Sequence, residues 1–191
     1  RTNKCFNNKS LSNFYKNYYN ILYYKIDKLS DKLFEEEISD SSRSYKLFSL
    51  VNKKVLLNDI TNVFEIGCSA GWNLYPYHIR GKCVSGCDYR ADYIFHGISK
   101  GMNLYKGGLD TGRTQYESQD LVILSHVLEH IAEPIEFLIE VIKLININKY
   151  LIVEIPSVLS NKESTLVTTF HLPHIYTYNE NYLIYLFKAL K

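Results

Sequence analysis

Four short apolar runs, at 63–66, 83–87, 121–124 and 150–155, punctuate the chain, and each meets a glycine, an acid or a proline. Runs of this length, bounded by turn residues, read as strands buried on both faces. Between the last two lies a helical pattern. Pro134 suits its first turn, and Ile135, Leu138, Ile139, Ile142 and Ile145 make one apolar face. Asn146 or Asn148 can end it, because asparagine tolerates the left-handed conformation. The first sixty residues differ. Phe14, Tyr18, Ile21, Leu22 and Ile26 recur at helical spacing, as do Leu47, Leu50 and Val51, with a polar stretch at 39–44 between them. Strand, helix, strand at this rhythm implies parallel strands joined by crossovers. The pattern predicts a doubly wound, mainly parallel α/β sheet over 59–191 as one compact unit, under an N-terminal helical cap or lid over 1–58.

Composition narrows the partners. The chain has 191 residues, 46 % of them hydrophobic, enough for one compact domain with a sizeable core. Twenty-two basic and 20 acidic side chains leave a formal charge of +2, which gives no reason to expect a nucleic-acid partner. No window approaches the ~20 apolar residues of a membrane span, and no signal peptide opens the chain. A cytoplasmic protein is expected. The first residue is Arg1 rather than methionine, as in a trimmed or incomplete chain. Cys5, Cys68, Cys83 and Cys87 form no C-x-x-C pair; buried free thiols in a reducing compartment are expected.

Candidate chemistry gathers where the strands end. In an open parallel sheet, ligands bind outside the carboxyl ends of the strands. The first strand runs into Glu65-Ile66-Gly67-Cys68-Ser69-Ala70-Gly71. Gly67 permits a tight turn, and Gly71 permits close approach of the backbone to a ligand. Ser69 stands where a dinucleotide fingerprint needs its second glycine, which weakens a pyrophosphate-binding reading. The next strand ends at Asp88, seventeen residues after Gly71. A carboxylate at that tip can accept both hydroxyls of a ribose. The plainer alternative is an ordinary turn followed by a helix-capping acid.

These segments, together with Leu121-Val122-Ile123-Leu124-Ser125-His126-Val127-Leu128-Glu129-His130-Ile131, resemble the class I S-adenosylmethionine-dependent methyltransferases over roughly residues 60–188. The form from Leu128 to Pro134 is similar to a bacterial subgroup containing small-molecule and sugar O-methyltransferases and the ubiquinone-type enzymes. The resemblance implies a Rossmann-like fold and S-adenosylmethionine as cofactor, with S-adenosylhomocysteine as product. It implies that Gly67 and the backbone of Cys68, Ser69 and Gly71 face the methionine part, with Glu65 also among the cofactor-binding residues. Asp88 would hold the ribose, with Tyr89 beside the adenine, Leu109 and Asp110 at its rim, and Ser125 and His126 on the methionine side. Two departures stand out. Asn146-Ile147-Asn148-Lys149 replaces the usual glycine pair before the fifth strand, and the chain stops at Lys191 without the usual C-terminal hairpin.

Related enzymes often place a histidine after the fifth strand, on the acceptor side. Here that segment holds His171 and His174. Histidine titrates near neutral pH, as a base for a hydroxyl acceptor requires. His174 is the first candidate and His171 the second, with His130 also on that side. The expected acceptor is a hydroxyl of a small polar molecule: a saccharide, a nucleotide-sugar or a surface-glycan substituent such as a phosphoramidate. No metal is expected. Ubiquinone-type relatives hold a divalent ion with acids and histidines at the segment matching Glu129 and His130, but His126 replaces one acid, and a hydrogen-bonding role for the pair is the simpler expectation. Two further classes stay open. One is a non-catalytic cofactor- or partner-binding module on the same fold. The other is a zinc hydrolase, since His126-x-x-Glu129-His130 matches an inverted zinc-protease signature, which needs both histidines on one helix.

Overall fold

A computed structural model describes residues 29–109, 118–156 and 174–190, with Asn13 and Tyr18 besides. Among the described residues five strands form one wholly parallel sheet in the order β3-β2-β1-β4-β5. They are β1 (Asn62–Ile66), β2 (Cys83–Asp88), β3 (Asn103–Lys106), β4 (Gln119–Ser125) and β5 (Ile145–Glu154). Among the residues from 29 on that are described, the α-helices are α1 (Asp31–Glu37), α2 (Arg43–Asn52), α3 (Tyr75–His78), α4 (Ala91–Ser99), α5 (Pro134–Ile142) and α6 (Glu180–Lys188). This is the Rossmann-like class I methyltransferase fold. Among the described residues no strand follows β5, and no helix is long and apolar enough to cross a membrane.

Strand periodicity builds the two layers. Successive side chains point to opposite faces. Val63, Leu121 and Ile123 therefore join one buried cluster, while Phe64, Ile66, Val122 and Leu124 join another. Phe34 of α1, Phe48 and Val51 of α2, and Ile94 of α4 cover the first face. Leu138 and Val141 of α5 and Leu186 of α6 cover the second. Ser30 and Ser42 accept bonds from Leu33 N and Tyr45 N, capping α1 and α2. The described part of the N-terminal cover is thus a packed layer of the same core as the sheet.

Four expectations change. The apolar face of α5 is rotated: Pro134, Leu138 and Val141 are buried, while Ile135, Ile139 and Ile142 are 41–44 % exposed. The helix is apolar nearly all round, so spacing alone cannot choose its inner face. Each fully buried Leu or Val there stabilises the layer by about 2 kcal/mol. Ile145 does not belong to this helix; it opens β5 opposite Gln119. Asn146 and Asn148 consequently lie inside a strand. Asn148 does adopt a left-handed φ of 60°, but it does so where the pairing register shifts between Gln119 and Leu121, not at a helix end. The alternation Ile145-Asn146-Ile147-Asn148 was itself a strand signal. Cys83, expected buried, is exposed because it opens β2 at the sheet's amino edge, opposite Asn62.

Candidate functional site

The chain order of the strands reverses between β1 and β4, and at such a switch point the loops leaving neighbouring strands diverge and open a cleft. The loop leaving β1 is folded by its own backbone. Gly67 N and Cys68 N both donate to Cys87 O, at 2.8 and 3.1 Å. Gly67, Ser69 and Gly71 have φ of 72°, 54° and 81°. A Cβ on Gly67 would lie 2.6 Å from Val127 Cγ2, so this glycine lets the β1 and β4 loops meet. Gly71 is crowded by protein: a Cβ there would stand 2.7 Å from Met102 Cε. The side chains of Met102, just before β3, and of Leu104 within it fill the space beside this glycine.

Asp88 anchors the loop from the tip of β2. Its Oδ2 accepts from Ser69 N at 2.9 Å and its Oδ1 from Arg90 N at 2.8 Å. Each carboxylate oxygen keeps a further lone pair for a ligand. Burial pushes this carboxyl above its ordinary range, against the pull of the two backbone N–H groups. Ser69 is a non-glycine residue held in the left-handed region, a conformation that persists where surroundings over-determine it.

Glu65 lies beneath the loop, 1 % exposed. Its Oε1 accepts from Asn73 Nδ2 at 2.6 Å, while its Oε2 is buried without a hydrogen-bond partner. Burial pushes the Glu65 carboxyl up to about 8. Tyr89 is half-buried beside Asp88, and Leu109 packs on the cluster of Phe64 and Cys87. Asp110 and His171 lie outside the described residues.

The far side of the cleft is built at the ends of β4 and β5. Arg43, from the first turn of α2, donates to Ser125 Oγ at 2.9 Å and to Glu154 Oε2 at 2.8 Å. Ser125 Oγ also donates to Glu154. His126 has a left-handed φ of 55°, and its N–H donates to Glu154 O at 2.9 Å. Next comes a single 3-10 turn, Leu128–His130. The zinc-hydrolase alternative fails here: His126 and His130 are not on one helix. The turn also carries the following chain segment, because Glu129 O accepts from Ile175 N at 2.9 Å and Tyr176 N at 3.1 Å. That pairing brings His174 to Glu129.

Three imidazoles surround the Glu129 carboxylate, which is 2 % exposed. Oε1 lies 3.5 Å from His126 Nδ1, 3.8 Å from His174 Nε2 and 4.0 Å from His130 Nε2. The His130 and His174 rings pack edge to face at 4.8 Å. Burial raises the Glu129 carboxyl, but the nearby His126 and His130 imidazoles outweigh it and hold the group below its ordinary range.

Several site residues had little sequence signal. Arg43 and Asn73 act through contacts 111 and 8 positions away, to Glu154 and Glu65. Gly86 and Gly97 seat the loop: Cβ atoms there would lie 2.8 Å from Cys68 Sγ and 2.6 Å from Ala70 O. A glycine inside a strand, as at Gly86, is the one signal that could have marked such an approach.

A family model described as methionine biosynthesis protein MetW matches residues 48–175. No curated protein matches the chain. Among solved structures, a SAM-dependent methyltransferase from Archaeoglobus fulgidus is 20 % identical, with a TM-score of 0.63 over 83 % of this chain and 72 % of that one. Coclaurine N-methyltransferase bound to N-methylheliamine and SAH is 12 % identical, with a TM-score of 0.52 over 66 % of this chain and 44 % of that one. At these identities the structures speak for the fold. The family match spans most of the chain, taking in β1 to β5 and every described member of the cleft except Arg43, and the chain belongs to the MetW family.

Proposed function

We propose that the cleft binds S-adenosylmethionine and that the protein transfers its methyl group to a hydroxyl of a small polar acceptor. The observation that carries this reading is the left-handed loop 67–71 tied to Asp88, with acceptor capacity left on that carboxylate. A ribose diol donates two hydrogen bonds, which suits it. Glu65 fits the other end of the ligand. Its buried, unpartnered Oε2 would accept from the methionine ammonium, which would also return the carboxyl to its ionised form. Tyr89, Leu109 and Asp110 would flank the adenine, with Cys68, Ser125 and His126 towards the methionine.

When bound, S-adenosylmethionine supplies an electrophilic methyl on sulfur; the residues align the acceptor with it and exclude water. His174 would take the hydroxyl proton. Glu129, 3.8 Å from His174 Nε2, would stabilise the imidazolium so formed. His171 is the second candidate for that proton and His130 an accessory group. A saccharide, nucleotide-sugar or glycan substituent is the acceptor we favour, from the sequence resemblance.

A second reading has an observation of its own. The family description names methionine biosynthesis, and the His174 side chain is only 5 % exposed. A module that binds S-adenosylmethionine without transferring its methyl would suit both. Release of S-adenosylhomocysteine, assayed across hydroxyl acceptors, separates the two. Turnover that falls in His174→Ala supports transfer; binding without turnover on any acceptor supports the module.

A further inference from the structure

We infer that Arg43 recognises the carboxylate at the amino-acid end of the ligand, so that Arg43 and Glu65 together clamp that end and select ligands that carry it over thioadenosines that lack it. The inference rests on the S-adenosylmethionine reading above. The methionine part of that molecule ends in one ammonium and one carboxylate, a fixed pair of opposite charges. A complementary site needs an anion and a cation close together on one wall.

Strand register supplies that pair. Glu65 lies opposite Ile123, and Ser125 lies opposite Glu154. Side chains two positions apart share a face. Glu65, Ser125 and Glu154 therefore fall on the face of Val63, Ile123 and Ile152, which α2 covers. From the first turn of α2, Arg43 reaches the strand tips at Ser125 Oγ and Glu154 Oε2. Glu65 is level with Ile123, two positions before Ser125, so it sits one step deeper on the same face. Burial raises its carboxyl; Asn73 by hydrogen bond and Arg43 by charge oppose that rise, which places Glu65 within electrostatic reach of the guanidinium.

Both groups have bonding capacity to spare. The hydrogen bonds of Arg43 leave from Nη1 alone. Its Nε and Nη2 have no partner among the described residues. These two atoms form the edge of the fork that takes a carboxylate through parallel bonds, as Arg90 takes Asp92 through the same two atoms. The Arg43 side chain is 48 % exposed, and ion pairs this open contribute little stability alone. At the deeper level, Glu65 Oε2 and the neighbouring Asn73 Oδ1 are buried without a hydrogen-bond partner. They offer two acceptors to an ammonium with three N–H groups. Arg43 precedes the segment shared with the family, residues 48–175, so this half of the clamp belongs to the N-terminal cover.

Calorimetry on the full chain tests the clamp with three ligands that cannot react. They are S-adenosylhomocysteine, its decarboxylated analogue, which keeps the amine, and methylthioadenosine, which lacks both charges. S-adenosylhomocysteine should bind at least about tenfold more tightly than the decarboxylated analogue, as a bidentate charge-assisted pair implies. Arg43→Met should erase that preference: S-adenosylhomocysteine loses at least about tenfold, while the other two ligands stay within about twofold. Arg43→Lys keeps the charge but not the fork; it should lose part of the same preference, and it keeps the test open if Arg43→Met does not fold. Equal losses for all three ligands in the Arg43 variants, the mark of a residue that only fastens α2 to the strand tips, would overturn the inference. So would a wild-type chain that binds S-adenosylhomocysteine no better than its decarboxylated analogue. Failure of all three ligands to bind the wild-type chain would overturn the S-adenosylmethionine reading itself, and the clamp with it.

Discussion

The two walls of the cleft are held by different physics. The wall formed by β1 and β2 is built by backbone. Ser69 N and Arg90 N bind Asp88, Gly67 N and Cys68 N bind Cys87 O, and glycines make room for the turns. The wall formed by β4 and the segment from His174 is built around one carboxylate, with three imidazoles at 3.5 to 4.0 Å from Glu129. Backbone bonds preset a shape before any ligand arrives. A buried charge ringed by titratable groups leaves its state to whatever binds. The first wall is suited to gripping a constant ligand; the second is suited to chemistry.

Variants can break that contrast. His174→Ala should lower methyl transfer by about 10²- to 10⁴-fold, the usual worth of a positioned acid–base group. S-adenosylmethionine affinity, measured by calorimetry, should stay within about twofold, because His174 belongs to the other wall. Equal loss of both would mean that the walls are one unit. Gly97→Ala attacks the shape of the first wall, placing a Cβ 2.3 Å from Leu104 Cδ1 and 2.6 Å from Ala70 O. Urea unfolding should show a loss of about 3 kcal/mol, the upper end for overpacking.

Asp88→Ala removes two charge-assisted backbone bonds and, with them, the proposed ribose acceptor. S-adenosylmethionine affinity should fall by about 2 kcal/mol, or roughly 30-fold, with the second wall undisturbed. The Glu65 carboxyl offers a smaller and finer test. Its folded value of about 8 lies above the ordinary 4.5. The neutral form is therefore favoured by folding, so this stabilisation is complete below pH 4.5 and is lost as pH rises through 8. Stability of Glu65→Gln should vary less with pH across that window, by thermal or urea unfolding. S-adenosylmethionine binding at neutral pH should also release up to one proton, seen as buffer-dependent calorimetric heat, and Glu65→Gln should abolish it.

The same contrast decided what the sequence could reveal. β1 and β4 are buried almost throughout and stand out as apolar runs. The Glu65-to-Gly71 loop and Asp88 were legible because a local turn and a strand-end acid leave a local signature. β3, Asn-Leu-Tyr-Lys at the sheet edge, has a single buried residue and no such signal. The start of β5 was lost to α5, since Ile145 fits both periodicities. Glu129, His130 and His174 were visible as residue types, but their convergence depends on Glu129 O receiving Ile175 N and Tyr176 N, a pairing 46 and 47 positions long. Arg43 had no signal at all; its partners lie on two strands far along the chain.

Calorimetric titration with S-adenosylmethionine, and separately with NAD, tests the central claim most directly. The account predicts saturable binding of one S-adenosylmethionine per chain, weakened in Asp88→Ala, and no comparable binding of NAD. Binding of NAD alone, or S-adenosylmethionine affinity untouched by Asp88→Ala, would contradict it.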